Sequence, residues 1–179
     1  MIPYGRQSIN QLDIDAVVEV LNSDFLTQGH RVPEFEEKLA ARFDAEYALA
    51  VNSATSALHL ACLAMGLGPG DWLWTSPITF VASANCALYC GASVDFVDID
   101  SLTNNLSPKK LAVKLEAAAK EGMLPKVLVA VHLAGFSCEM KAIRELSKKY
   151  GFKVIEDASH AVGGIYESSP IGACEYSGI

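Results

Sequence analysis

Val127-Leu128-Val129-Ala130-Val131-His132, then Glu139 to Tyr150, then Phe152-Lys153-Val154-Ile155-Glu156 decide the fold. The first and last are short apolar runs, the mark of strands buried on both faces. The middle reads as a helix. Strand, helix and strand in that order form a crossover unit whose two strands lie parallel. Working upstream, the unit recurs. Trp72 to Thr75 and Ser93 to Ile99 read as strands, with a helix from Phe80 to Tyr89 stopped by Gly91 between them. Pro108 to Lys120 reads as a helix behind Ser107, a good cap. Further back, Tyr47 to Val51 reads as a short buried strand, followed by the polar corner Asn52-Ser53-Ala54-Thr55-Ser56. An apolar helix from Ala57 to Met65 then ends at Gly66 and Gly68-Pro69-Gly70. Two amphipathic helices open the chain, Gln11 to Asn22 and Pro33 to Phe43. At the other end, Tyr176-Ser177-Gly178-Ile179 reads as the start of another strand.

The 179 residues are 51% hydrophobic and 20% charged, which excludes a disordered chain. The net charge of -7 and a pI near 5.0 argue against nucleic acid or an anionic membrane as the main partner. No apolar run is long enough to span a bilayer. The odd count of five cysteines, with no apolar signal region at Met1 to Arg6, points to reduced thiols and a cytoplasmic setting. Cys86 and Cys90 lie four apart on a helix, but no second Cys/His pair stands at zinc spacing, so they read as buried structural thiols. No metal site is expected.

In parallel sheets ligands bind at the carboxyl ends of the strands, and three polar corners fall there. Asn52 to Ser56 joins a strand to a helix start, where free N–H groups and the helix dipole suit a phosphate, with the hydroxyls of Thr55 and Ser56 as further donors. One of these hydroxyls simply capping the helix is the alternative. No Gly-rich phosphate loop of the nucleoside-triphosphate or dinucleotide kind is present. At the second corner, Asp157 follows a strand and His160 lies three residues on. A carboxylate there suits a cation, a metal or a protonated nitrogen. The alternatives are a turn cap and a core histidine, or a metal-dependent hydrolase site with His132 as third ligand. At the third corner, Phe80 enters a helix from a strand end and is placed to cover a flat ring, or else to fill the core.

Together and in this order, the motifs resemble the DegT/DnrJ/EryC1/StrS sugar aminotransferases. The matching stretches are Leu26-Thr27-Gln28-Gly29, Asn52 to Leu58, Thr79-Phe80-Val81-Ala82-Ser83-Ala84-Asn85, and Glu156-Asp157-Ala158-Ser159-His160-Ala161. The resemblance implies an α/β fold: the three-layer α/β/α large domain of a pyridoxal 5'-phosphate (PLP) dependent transferase, with a mostly parallel sheet. It divides the chain into an N-terminal arm and helix (1–30) and the N-terminal part of the cofactor domain (31–179). It implies that Ala54, Thr55 and Ser56 hold the cofactor phosphate. Phe80 would stack on the pyridine ring, Asp157 pair with its protonated nitrogen, and His160 approach its phenolic oxygen, the last two being the catalytic residues present. Tyr4, Asp24, Phe25, Leu26 and Thr27 would face the sugar nucleotide. Pro3 to Ile9 and Leu26 to Gly29 look closest to the branch that aminates C4 of a UDP-4-keto-6-deoxy-N-acetylhexosamine with L-glutamate, on the route to pseudaminic acid. A homodimer is implied, with neither nucleic acid nor membrane as partner. The family's Schiff-base lysine falls beyond Ile179, and no lysine present takes its place. The expectation is therefore a truncated piece without transaminase turnover by itself. A sister branch that dehydrates sugars at C3, and a non-catalytic phosphate-binding module, remain alternatives.

Overall fold

A computed structural model describes residues 6–173 and 175–178. Tyr4 lies outside the described residues. Four strands, β1 (Trp72–Thr75), β2 (Ser93–Phe96), β3 (Val127–Val131) and β4 (Lys153–Asp157), form one sheet in the order β2-β1-β3-β4. Every pairing is parallel, and β3 against β4 is in register from Val127↔Lys153 to Val131↔Asp157.

Alternation along the strands sorts side chains onto two faces. Leu73, Val127, Val129, Val131 and Ile155 pack with Leu58, Ala61 and Cys62 of α3 (Ala54–Ala64) and with Ala82, Cys86 and Ala87 of α4 (Ala82–Tyr89). Trp74, Leu128, Ala130 and Val154 pack on the other face with Leu111, Leu115 and Ala118 of α5 (Pro108–Glu121) and with Met140 and Ile143 of α6 (Met140–Tyr150). Helices on both faces of a parallel sheet make the expected three layers. The four cysteines described, Cys62, Cys86, Cys90 and Cys138, are all free thiols. Cys62 is held well above its ordinary value, first by a hydrogen bond with Cys86 and then by burial, as suits a packed thiol rather than a ligand.

Helix ends follow the sequence. Ser107 Oγ accepts from Lys110 N–H, and Pro108 takes the first turn of α5, which closes on Gly122 in the left-handed region (φ 69°). Replacing Ser107 by Ala is expected to lower stability by about 1 kcal/mol, read as a shift in the denaturant midpoint; no shift would contradict the cap.

Three expectations change. Tyr47 to Val51 forms no strand: Tyr47 and Leu49 are exposed, and the Ala50 N–H donates to Glu36 Oε1 (2.7 Å) instead of to a neighbouring strand. A two-residue hairpin, β5 (Ile165–Tyr166) with β6 (Ser169–Pro170), lies where no element was expected. The tail expected to start another strand forms none among its described residues, Tyr176 to Gly178, although Gly178 N–H donates to Val154 O (2.9 Å) beside β4. The opening helices α1 (Gln11–Leu21) and α2 (Arg31–Phe43) bury no residue. They are tied to each other by the Arg31–Glu19 ion pair.

Candidate cofactor site

Register decides which way the chemistry of β4 points. Asp157 shares a face with Ile155, so its carboxylate is aimed at the α3/α4 side. Glu156 takes the opposite face. Beyond the end of β4 lies a cavity of about 530 Å³, lined among others by Ala54, Thr55, Phe80, Asp157, Ser159 and His160. Apolar side chains, Leu58, Ile78, Val131 and Leu133, make up much of the remaining wall. The volume is that of a typical small-molecule site.

Asp157 is 8% exposed and accepts three hydrogen bonds, which leaves one acceptor site on Oδ2. Its Oδ2 accepts from Ser83 Oγ (2.9 Å); its Oδ1 accepts from the Ser159 hydroxyl (2.6 Å) and N–H (3.2 Å). An ionised carboxylate can only accept, so the Ser83 proton is committed to Asp157. Ser83 Oγ must then accept from Thr79 Oγ1, 2.8 Å away. Three donors keep this buried acid in a set orientation. Sequence reasoning missed Ser83, Thr79 and Ser159. Thr79 lies in the turn before α4 and Ser83 in its first turn, so no helical spacing announces the pair.

At the start of α3, Ser53 Oγ caps Ser56 N–H (3.1 Å), so the capping hydroxyl is that of Ser53 and not that of Thr55 or Ser56. Ser56 Oγ is bonded to Asn52 Oδ1 (2.7 Å), and Ser56 does not line the cavity. The first helical N–H groups, those of Ala54 and Thr55, have no partner among the described residues, and neither has the Thr55 hydroxyl. Phe80 stands at the cavity with 72% of its surface exposed, so it is no core aromatic. His160 Nδ1 accepts from Ala134 N–H (3.3 Å). Asp24, Phe25, Leu26 and Thr27 lie on the exposed loop between α1 and α2 and do not line this cavity.

The metal alternative fails on geometry. His132 is fully buried, its Nε2 on Glu156 Oε2 (3.0 Å) and its Nδ1 accepting from Cys138 N–H (3.0 Å). Both nitrogens are used away from the Asp157 side, and no metal-holding cluster occurs among the described residues.

The arrangement matches a flat ligand with an anionic group at one end and a cationic ring nitrogen. Free N–H groups at a helix start, an exposed aromatic face, and a locked carboxylate at the floor are the complementary set. Pyridoxal 5'-phosphate has these groups, and the residues fit it.

Comparison with known proteins agrees on the class. The DegT/DnrJ/EryC1/StrS aminotransferase family matches residues 7–179, and the chain belongs to that family. Its cofactor is pyridoxal 5'-phosphate. The spore coat polysaccharide biosynthesis protein SpsC of Bacillus subtilis is 44% identical over 96% of this chain and 43% of its own length. The UDP-4-amino-4,6-dideoxy-N-acetyl-beta-L-altrosamine transaminase of Campylobacter jejuni is likewise 44% identical, over 96% of this chain and 44% of its own. Among solved structures, PseC of Helicobacter pylori, described as an aminotransferase of pseudaminic acid biosynthesis, superposes with a TM-score of 0.84 at 33% identity, over 94% of this chain and 44% of that one. The chain thus spans less than half the length of these relatives. Among the described residues no helix is long and apolar enough to cross a membrane.

Proposed function

We propose that the whole protein is a cytoplasmic, homodimeric aminotransferase moving an amino group from L-glutamate to C4 of a UDP-4-keto-6-deoxy-N-acetylhexosamine. The observation that carries this reading is one cavity lined by Ala54, Thr55, Phe80, Asp157 and His160. The 44% identity to an altrosamine transaminase supports the choice of sugar and of the pseudaminic acid route.

In this reading the Ala54 and Thr55 N–H groups and the Thr55 hydroxyl hold the cofactor phosphate, and Ser56 keeps the helix start in shape through Asn52 and Ser53. Phe80 covers one face of the ring and keeps water from it. Asp157 holds the proton on the ring nitrogen through a charge-assisted hydrogen bond, and Ser83 and Ser159 keep that carboxylate turned to the ring. His160 faces the phenolic oxygen. When bound, the cofactor supplies the electron sink that transamination needs. Tyr4 and the Asp24 to Thr27 loop are assigned to the sugar nucleotide by analogy with the branch. No lysine lines the cavity among the described residues, so the 179-residue chain is proposed to bind cofactor without turnover.

Calorimetric titration of this chain with pyridoxal 5'-phosphate tests the site. One cofactor per chain is expected, with Phe80→Ala weakening binding roughly five- to tenfold through lost stacking. No binding, or binding that Phe80→Ala leaves unchanged, would refute the assignment. For the whole protein, glutamate-dependent amination of the 4-keto sugar nucleotide is the corresponding assay, and inertness toward it would refute the choice of substrate.

A further inference from the structure

We infer that the turn Leu133-Ala134-Gly135 is a positioning device for His160, fixing the imidazole as the tautomer that carries its proton on Nε2. The turn is strained where it meets the histidine. Ala134 adopts a left-handed conformation (φ 54°, ψ 22°) with no polar side chain to stabilise it. Gly135 follows at φ 85°, and a Cβ there would stand 2.9 Å from His160 O. Only glycine allows so close a passage. The product of this geometry is the Ala134 N–H aimed at His160 Nδ1 (3.3 Å). A nitrogen that accepts carries no proton, so in the neutral ring the proton sits on Nε2. With Nδ1 committed, Nε2–H is the polar group that His160, a lining residue, has left to offer a ligand.

The far side of the turn is clamped, which is what lets the strain persist. Leu133 N–H donates to Asn105 Oδ1 (3.0 Å), and Asn105 Nδ2 donates to Phe136 O (2.7 Å). Gly135 N–H donates to His132 O (3.1 Å), and His132 is itself held by Glu156 and Cys138. Gly135 is thus a positioning residue that acts through His160. The ligand side of the inference rests on the cofactor reading: a phenolate oxygen is an acceptor and needs a donor opposite it.

The test labels the chain with 15N-histidine and reads two-bond 1H–15N correlations at a pH where the rings are neutral. His160 is expected with bare Nδ1 and protonated Nε2. Gly135→Ala is expected to raise the share of the Nδ1–H tautomer roughly five- to tenfold, the worth of one such hydrogen bond, while the His132 signals stay in place. A protonated Nδ1 in the wild type, or an unchanged tautomer ratio in the variant, overturns the inference. Should Gly135→Ala fail to fold, His160→Asn and His160→Gln decide, because the Asn carbonyl can replace Nδ1 and the Gln side chain reaches past it. Ala134 amide exchange should match the wild type in His160→Asn and run about tenfold faster in His160→Gln; equal rates in the two overturn the inference. Pyridoxal 5'-phosphate is then added to the labelled chain. A shift at His160 Nε2 supports the ligand side. Failure to bind, with the tautomer as expected, sinks the cofactor reading and leaves the positioning role of the turn standing.

Discussion

Asp157→Asn in the whole protein is expected to lower transaminase turnover by roughly 100- to 1,000-fold, the range seen when a preorganised electrostatic partner is removed from a site. Asp157 is buried, and three donors hold it as an acceptor. An amide of the same shape keeps one oxygen for Ser83 or Ser159 but presents no negative charge to a ring nitrogen. The nitrogen then loses its proton more readily, and the ring withdraws electrons less well. Stability should change by only about 1 kcal/mol, since one hydrogen bond is exchanged for a poorer one. Steady-state kinetics with glutamate and the 4-keto sugar nucleotide, alongside a denaturant melt, separate the two effects. Turnover within a few-fold of wild type in a folded Asp157→Asn protein would remove Asp157 from the chemistry.

The sheet was legible because its strands are buried on both faces. Val127 to Val131 is apolar throughout, and all five residues are buried in the structure. Trp72 to Thr75 was found to the residue. The same cue misled at Tyr47 to Val51, where an equally apolar run forms no strand. A strand is defined by the neighbour its backbone bonds to, and composition does not name that neighbour. The β5–β6 hairpin was invisible for the converse reason: two residues a side give no period to read.

At the site, the residues on the cavity wall announced themselves by type and corner. Their supports did not. Ser83 looks like any small residue inside an apolar helix, and only the fold brings it to an acid 74 positions away. Ala134 and Gly135 carry no functional group at all; what they contribute is a backbone conformation. The N-terminal candidates Asp24 to Thr27 rest on likeness alone, and they are not among the residues that line the cavity.

His132 shows how a ligand-like residue is distinguished from a structural one, and its removal is expected to have the largest effect on stability. His132→Ala should cost about 3–5 kcal/mol, the range for emptying a buried ring's volume and for leaving a buried carboxylate without its donor. The ring is fully buried between Glu156, which is itself mostly hidden, and the Cys138 N–H. Without it the Glu156 carboxylate loses its close partner and the Cys138 N–H its acceptor. Burial already pushes the Cys138 thiol up to about 12, so at neutral pH it stays protonated and donates to Val131 O (3.1 Å) instead of filling the gap. A double change, His132→Leu with Glu156→Leu, should recover much of the loss, because an apolar pair leaves no buried charge unpartnered, although Cys138 N–H remains without its acceptor. The denaturant midpoints of the wild type, the single variant and the double variant measure this directly. A single variant as stable as the wild type would mean that the pair holds nothing together. A midpoint that zinc raises in the wild type and not in His132→Ala would return this histidine to the role of metal ligand that its hydrogen bonds now deny it.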